Sequence, residues 1–374
     1  MKFRKIGKIF SSTIFIINIV TLFVFILSVF SDRVSPNSMM LFAYLGLVFP
    51  FLLFINILFA IWWILMFRWK FLLINMIVFI VCSWQIFTYF PIHSKTKNIP
   101  EDCIKVLSYN VMRYNQYKNH TKENPNNIIN YILDLDADIV CVQELGAMKG
   151  VPSLISEETL DQIFRKKYPY RKNFPIHVTK NAVGGNAVYS KFPIKSFKKI
   201  PYSSLYNGSF VVELDINGKN VTLINNHLES NKLSAGDLAE YTRLLKGIKE
   251  LDAKKIEEIG DFMKRTLSVS YKIRAKQAES VAEYVNNSKS PYIIVCGDFN
   301  DTPISYTRRT IKGNLLKDSF VETGSGMGIS YNRNRFWFRI DYILHSKNIK
   351  AYNCTVGKLK DSDHYPVWTY LQLN

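Results

Sequence analysis

Three long runs without a charged residue occupy the first ninety positions: residues 11–31 (SSTIFIINIVTLFVFILSVFS), 41–66 (LFAYLGLVFPFLLFINILFAIWWILM) and 71–90 (FLLINMIVFIVCSWQIFTYF). A helix needs about 20 apolar residues to cross the hydrocarbon layer, so the pattern predicts three transmembrane helices. The texture changes beyond residue 100. Short runs rich in Val, Ile, Leu, Tyr and Phe at 104–109, 138–142, 186–190, 209–216, 220–227, 292–297 and 338–344 predict strands. Asn217-Gly218, between two of these runs, is a hairpin turn signal. Helical patterns intervene. One opens at Asn124-Pro125 and ends near Leu133, and residues 235–287 hold two longer amphipathic helices, the second running through RAKQAESVAEYV. Strands, helices and hairpins mixed in this way predict a layered α/β (α+β) domain, not a purely parallel sheet. The chain thus divides into a membrane anchor (1–90), a polar linker bounded by prolines (91–100, PIHSKTKNIP) and one globular domain (101–374).

Charge gives the anchor a direction. Lys2, Arg4, Lys5 and Lys8 precede the first run, and Arg68 and Lys70 separate the second from the third. The connector at 32–40 offers only Arg33, opposed by Asp32. Basic flanks stay on the cytoplasmic side. This predicts a multi-pass protein of the cytoplasmic (inner) membrane, with its N-terminus inside and residues 101–374 on the extracytoplasmic side. Trp62, Trp63 and Trp69 fit an aromatic belt at the inner interface. The basic leader could also belong to a signal peptide, but its apolar stretch is long and no small-x-small cleavage site follows. A re-entrant hairpin of the second and third runs would change the crossing count.

The formal net charge is +18, of which residues 1–100, with nine Lys/Arg and one acidic residue, carry +8. The excess of +10 on the remainder suits an anionic substrate, a membrane surface, or simply a solvated basic exterior. None of Cys82, Cys103, Cys141, Cys296 and Cys354 forms a CxxC or Cys/His spacing, which argues against a zinc site. Cys82, Cys141 and Cys296 lie in apolar runs and read as small core residues. Pairing of Cys103 with Cys354 is a connectivity the sequence does not test.

Polar residues gather where the apolar strands end. The first strand closes on Ser108-Tyr109-Asn110, the second on Gln143-Glu144, and VTLINNHLE places His227 after a buried stretch. IIVCGDFND brings Asp298 and Asn300 after Gly297, RIDYIL sets Asp341 within a strand, and DSDHYPV supplies Asp363 and His364. Each has an ordinary alternative: Glu144 a solvated strand end, His227 a hydrogen-bonded core histidine, Asp298 and Asn300 an Asx turn, Asp363-His364 a loop. A carboxylate within a strand, as at Asp341, needs a partner. Carboxylates and amides without thiolates are the ligand set of a hard cation, magnesium first and manganese next. They also suit phosphoryl transfer, which needs positioning, charge neutralisation and an oriented water.

Asn110, Gln143-Glu144, His227, Gly297-Asp298-Phe299-Asn300, Asp341 and Ser362-Asp363-His364, in this order, resemble the endonuclease/exonuclease/phosphatase superfamily, the deoxyribonuclease I-like fold. The resemblance runs from about residue 104 to residue 372, and GGNAVYSKFPI (184–194) is similar to the family's central strand and following turn. It implies a four-layer sandwich of two mixed β-sheets flanked by helices. It implies that Glu144 is the main metal ligand, with Asn110 beside it and Asp363 contributing. Asp298, assisted by Asn300, would orient and deprotonate the attacking water. His364, kept protonated by Asp341, would bind a phosphate oxygen, and His227 would contact the phosphate and protonate the leaving oxygen. Gln143 and Asn186 would be supporting or phosphate contacts. Met112 stands where some nuclease branches carry an acidic residue, which weakens a two-metal arrangement. The stretch from His227 to Asp298 reads as an insertion near the site or the membrane.

The resemblance implies a membrane-anchored, divalent-metal-dependent phosphoesterase. A phosphodiesterase or endonuclease is the first expectation, and a phospholipid-headgroup or inositol-phosphate phosphatase the alternative. The substrate is then a phosphoester, nucleic acid or lipid, and residues 1–90 contact the bilayer; no protein partner is inferred. Tyr331, Phe336, Trp337 and Phe338, with Arg333 and Arg335, could stack bases and hold phosphates, or could be core and loop residues. A catalytically inactive, membrane-held binding module would lack metal or water-orienting residues, and Glu144, Asp298, Asn300, Asp341 and His364 are all present.

Overall fold

The computed structural model describes residues 2–202, 204–231, 235–246, 252–333 and 337–374. Among these, the strands are β1 (Ile104–Asn110), β2 (Ile139–Met148), β3 (Tyr170–Val178), β4 (Ala182–Ser190), β5 (Ile194–Lys199), β6 (Gly208–Ile216), β7 (Lys219–His227), β8 (Tyr292–Asp298), β9 (Leu316–Asp318), β10 (Asp341–Ser346), β11 (Ile349–Val356) and β12 (Val367–Leu373). The helices are α1 (Lys2–Val29), α2 (Met40–Leu65), α3 (Trp69–Val81), α4 (Ser83–Tyr89), α5 (Met112–Tyr117), α6 (Asn127–Leu135), α7 (Glu157–Arg165), α8 (Ala235–Lys246), α9 (Ala253–Asn286), α10 (Tyr306–Lys312) and α11 (Ser319–Thr323).

The strands form two six-stranded sheets, ordered β11-β12-β1-β2-β4-β3 and β5-β6-β7-β8-β10-β9. Each has a parallel pair at its centre, β1 with β2 and β7 with β8, and antiparallel neighbours outside it. Parallel neighbours require a long crossover. The crossover between β7 and β8 carries α8 and α9, so the length that reads as an insertion is largely demanded by topology.

Side chains alternate across each strand and separate the layers. In β2, Ile139 and Cys141 face the other sheet and pack with Val188, Val212, Leu223, Ile294, Cys296 and Ile343. Val140 and Val142 face outward, onto Ile128, Ile132, Leu160 and Phe164 of α6 and α7. On the far side Ala278, Val281 and Val285 of α9 and Ile311 of α10 cover the second sheet. Two mixed sheets flanked by helices match the expected sandwich.

Local details differ from the sequence pattern. The cap of α6 is Asn126, whose side chain accepts from the N–H groups of Ile128 and Ile129, so Pro125 precedes the cap instead of opening the first turn. Asp341 is the first residue of β10, not an interior one. The turn at Asn217 (φ 53°) and Gly218 (φ 84°) is left-handed at both positions, as a two-residue hairpin requires.

Among the described residues, two helices, both ahead of the globular domain, are long and apolar enough to cross a membrane, Ser11–Asp32 and Met40–Leu65. The expectation of three transmembrane helices is corrected to two, because the third run breaks into α3 and α4, which meet at 68°. The physical reason is the polarity of the second half. Gln85, Thr88 and Tyr89 are buried, and the Thr88 carbonyl accepts a hydrogen bond from Arg339 of the globular domain. Polar side chains facing lipid would be costly, so α4 turns beneath the domain.

Trp63 is also corrected. It is fully buried, with its indole N–H donating to Asn18 Oδ1 at 2.8 Å, so it belongs to the bundle interior and not to an interfacial belt. Asn18 further bonds Asn56 (3.3 Å) and Asn75 (2.9 and 3.2 Å), a closed set of amides joining α1, α2 and α3. Residues 91–97 lie along the domain: Pro91 O accepts from Gly326 N–H (2.8 Å), and Thr96 exchanges two 2.8 Å bonds with Asn353. All five cysteines are free.

Candidate active site

The carboxyl ends of the two parallel pairs meet at one edge of the sandwich, where a crevice outside the strand ends commonly receives a ligand. Asn110 ends β1, Glu144 lies in β2, and His227 and Asp298 end β7 and β8. His227 pairs with Asp298, and Asp298 with Asp341. Three ionisable side chains therefore stand abreast on one sheet.

Backbone geometry sets the aim of several of them. Val142 pairs with Ala187 and Leu145 with Gly185, so Gln143 and Glu144 bulge opposite the single residue Asn186. Glu144 there has φ 51°, a left-handed conformation that costs a non-glycine residue roughly 1–2 kcal/mol. Bulges re-aim side chains in this way. At Gly297 (φ 129°) a Cβ would stand 1.9 Å from the Asn226 carbonyl oxygen, so only glycine lets β7 and β8 close beside the site.

The contacts form a continuous network. Asn110 Nδ2 donates to Glu144 Oε1 (3.2 Å) and to Asp298 Oδ2 (3.1 Å), drawing the two sheets together. Asp298 Oδ1 accepts from the Asn300 N–H at 2.8 Å, while Asn300 Nδ2 donates to Leu228 O at 2.9 Å. His364 Nδ1 donates to Asp341 Oδ2 at 2.9 Å, and its Nε2 lies 3.5 Å from Asp298 Oδ2. Ser362 Oγ accepts from His364 N–H (3.1 Å) and donates to Asn110 O (2.8 Å), fastening the Ser-Asp-His turn to β1. His227 Nε2 is 3.8 Å from both Glu144 Oε1 and Asp298 Oδ2, buried and without a hydrogen-bond partner.

Burial alone would pull the His364 imidazole down. Asp341 and Asp298 outweigh it and hold the ring at about 10, protonated at neutral pH. Asp298 moves the other way from a usual carboxylate: burial, then repulsion from Asp341, push it up to about 6 against the pull of His364 and His227. Ligand atoms of Asp298, Asp341 and His364 lie within 4.8 Å of one another, close enough to hold an ion. A protonated imidazole between two carboxylates already offsets one of that trio's two negative charges, however. Glu144, with a third of its side chain exposed (34%) and the Asn110 amide beside it, offers the more open oxygen site. Oxygen donors of this kind fit a hard divalent cation, and Asp341 Oδ1, on the strand beside Asp298, is buried without a partner.

Asn110, Glu144, His227, Asp298, Asn300, Asp341 and His364 thus come together. Asp363 stands at the rim, its carboxylate 3.7 Å from Arg333. Gln143 and Asn186 turn inward. Gln143 Nε2 donates to Asn225 Oδ1 (2.7 Å), and Asn186 Nδ2 to Gly208 O (3.0 Å), so both brace the two sheets below the site.

Asn225, which sequence reading missed, completes that brace by donating to Val142 O and Ala187 O. Its signal was an amide inside the apolar run LIN, where a buried polar group needs partners. Met112 opens α5, whose six residues all have φ between 44° and 65°, a left-handed turn secured by Asn126 through the carbonyls of Tyr114 and Lys118. Tyr331 packs edge-on against His364 with ring centres 5.0 Å apart. Trp337 is exposed and Phe338 bridges to Tyr331, whereas Arg335 and Phe336 lie outside the described residues.

Comparison with known proteins places this arrangement. Residues 107–364 match the model of the endonuclease/exonuclease/phosphatase family, and residues 8–89 match a domain of unknown function (DUF8431). No curated protein matches the chain by sequence. Among solved structures, the human Nocturnin catalytic domain with bound sulfate anion is similar at TM-score 0.50 and 16% identity, over 74% of this chain and 96% of that one. An endonuclease/exonuclease/phosphatase from Beutenbergia cavernae is similar at TM-score 0.49 and 15% identity, over 73% and 72%. One from Bacteroides vulgatus is similar at 0.46 and 14%, over 73% and 99%. At such identities the Nocturnin likeness speaks for the fold alone. The family model covers most of the chain and every strand-end residue from Asn110 to His364, and the chain belongs to the endonuclease/exonuclease/phosphatase family.

Proposed function

We propose that the chain is a membrane-anchored, divalent-metal-dependent phosphodiesterase that cleaves a P–O bond by in-line attack of water. The observation that carries this reading is the row His227–Asp298–Asp341 with His364 across it, a general base and a fixed positive charge within one hydrogen-bonded unit. Glu144, Asn110 and Asp363 are the residues that would hold the cation. Bound there, magnesium (or manganese) supplies charge neutralisation at the phosphate oxygens.

The side chains divide the remaining work. Asp298, poised near neutrality at about 6, is ionised at pH 7 and accepts a proton from the attacking water. The Asn300 N–H holds Asp298 Oδ1 and Asn110 Nδ2 holds Oδ2, which together orient the carboxylate towards that water. The protonated His364 ring, oriented by Asp341, donates to a non-bridging phosphate oxygen as charge develops in the transition state. His227 delivers a proton to the departing oxygen. One water is consumed, the bond from phosphorus to the leaving oxygen breaks, and a phosphomonoester and an alcohol result.

The anchor is residues 1–90 and the catalytic unit residues 101–374. The basic leader and the Arg68–Lys70 turn support a cytoplasmic N-terminus and a catalytic domain on the extracytoplasmic side. The test uses full-length protein in detergent with a soluble activated aryl phosphodiester. Turnover is expected with magnesium, none with chelator, and a loss of about 10³–10⁴-fold on Asp298→Asn with unchanged circular dichroism. Turnover that persists in chelator or in the variant overturns the assignment.

A further inference from the structure

The membrane helices grip the same edge of the domain that carries the candidate site. Ser31 Oγ, just past α1, donates to the Ile304 carbonyl at 2.8 Å. A Cβ on Gly46 of α2 would stand 2.5 Å from that same oxygen, so helix and loop are in closest contact there. The Ile304 side chain packs among Phe25, Phe49, Leu53 and Tyr89 of the bundle. Ile304 follows Asp298 by six residues, which limits their Cα separation to about 20 Å. Arg339, buried and two residues before Asp341, donates to the Thr88 carbonyl at the end of α4.

A third link runs through α9. Arg274 Nη1 donates to Glu229 O (2.6 Å), two residues beyond His227. One turn earlier Tyr271 meets the ring of Tyr44, in the first turns of α2, and the Tyr44 hydroxyl lies 2.7 Å from Ser268 Oγ of α9. The part of α9 before Arg274 is 21 residues long, so it projects about 30 Å past the strand ends, across the outer end of the span.

The rim of this edge is apolar. Leu205 (71% exposed) and Tyr206 (54%) sit on the β5–β6 connection, next to Gly208, which pairs with His227. Trp337 (58%) adjoins the Tyr331–Phe338 bridge against His364. Exposed large apolar side chains around a charged crevice mark a contact with a partner or a membrane. Gly46 and Leu53 lie within the apolar helix Met40–Leu65, so a bilayer around that helix would have its outer boundary near Ile304. The headgroup zone extends roughly 5–8 Å beyond that boundary.

We infer that the catalytic edge faces the bilayer and that the substrate is a phospholipid, its headgroup phosphodiester entering laterally from the leaflet in which the enzyme stands. This rests on the phosphodiesterase reading above and gives it a substrate class. Leu205, Tyr206 and Trp337 dip among the lipid headgroups, and Asp298 and His364 meet the phosphate at its own depth. Water adds to phosphorus as before, giving one alcohol and one phosphomonoester. A polynucleotide would have to thread between this edge and the membrane.

The experiment uses full-length protein in vesicles of phosphatidylcholine, phosphatidylethanolamine and phosphatidylglycerol containing a nickel-chelating lipid, in a Cys103→Ser background. Spin labels are placed on Leu205→Cys and, at the far end of β6, on Asn217→Cys. Relaxation by the lipid-borne nickel is expected to be several-fold stronger at position 205, and equal or reversed relaxation overturns the orientation.

In the same vesicles without nickel, phospholipid turnover is expected. Leu205→Asp with Trp337→Asp should lower it at least tenfold while aryl phosphodiester turnover stays within twofold. Hydrolysis of DNA or RNA with no lipid turnover overturns the substrate class and leaves the phosphodiesterase reading standing. Failure of the unaltered protein on the aryl phosphodiester removes that parent reading, and the spin labels still decide the orientation.

Discussion

Two regions of this molecule bury polar side chains to the same depth and for opposite ends. In the N-terminal helix bundle, Asn18, Asn56 and Asn75 are wholly buried, and they satisfy one another with Trp63 as a fourth member. At the catalytic edge, Asp298, Asp341, His364 and His227 are nearly as buried, yet Asp341 Oδ1 and His227 Nε2 have no partner. Neutral amides in a closed set hold helices together. Charged groups in an open set carry a desolvation penalty that only a ligand relieves. Completeness of the network, more than polarity or burial, separates a fastening from a site.

The largest blow to that contrast should come from the open set. His364→Ala is expected to lower aryl phosphodiester turnover about 10²–10³-fold, the scale for losing one preorganised donor to a developing oxyanion. A loss under tenfold, with folding intact, would show that the imidazolium is not the phosphate clamp.

Next in size is a pH effect on stability in chelator. His364 is raised in the folded chain to about 10, so its stabilising pair with Asp341 is fully present below the ordinary histidine range and is lost as pH rises through 10. The upper bound is about 5 kcal/mol at 1.36 kcal/mol per unit. Asp298, raised to about 6, works in the same sense at lower pH, weakening the fold as pH climbs from the usual carboxylate value through 6. The thermal midpoint of the full-length protein should therefore fall between pH 6.5 and 10, and Asp341→Asn should flatten that limb. A limb of unchanged slope in the variant would mean that the pair is not its source.

The smallest effect belongs to the closed set. Asn18→Ala removes four hydrogen bonds from the bundle, but interhelical amides in membranes are worth about 1 kcal/mol. A small drop in denaturation midpoint with unaltered turnover per folded molecule is expected. A fall in turnover without a fall in stability would erase the distinction between the two networks.

What the sequence made legible follows from how far each signal reaches. Asp298, Asn300 and His364 sit at strand ends beside glycine or serine, and their order along the chain carried both the fold and most of the site. The edge strands β3 and β5 were passed over because IKSFKK exposes charge on an unpaired rim and loses its alternation. The bend after Val81 was invisible because hydropathy is a local property, whereas the turn of α4 depends on Arg339, some 250 positions away. Trp63 looked interfacial for the same reason: its partner Asn18 lies on another helix. The left-handed turn at 112–117 had no glycine to announce it, since Asn126 secures it from outside.

The pinned stretch after Tyr89 has a mechanical consequence. Ten free residues would form a leash whose ends wander roughly 16–19 Å apart, giving the domain a choice of headings. Here Pro91, His93 and Thr96 are each tied down on arrival, so the leash has no slack to give. The domain is a turret with its traverse locked: it gains nothing in range, and every tumbling degree of freedom it lacks is one that an encounter need not align.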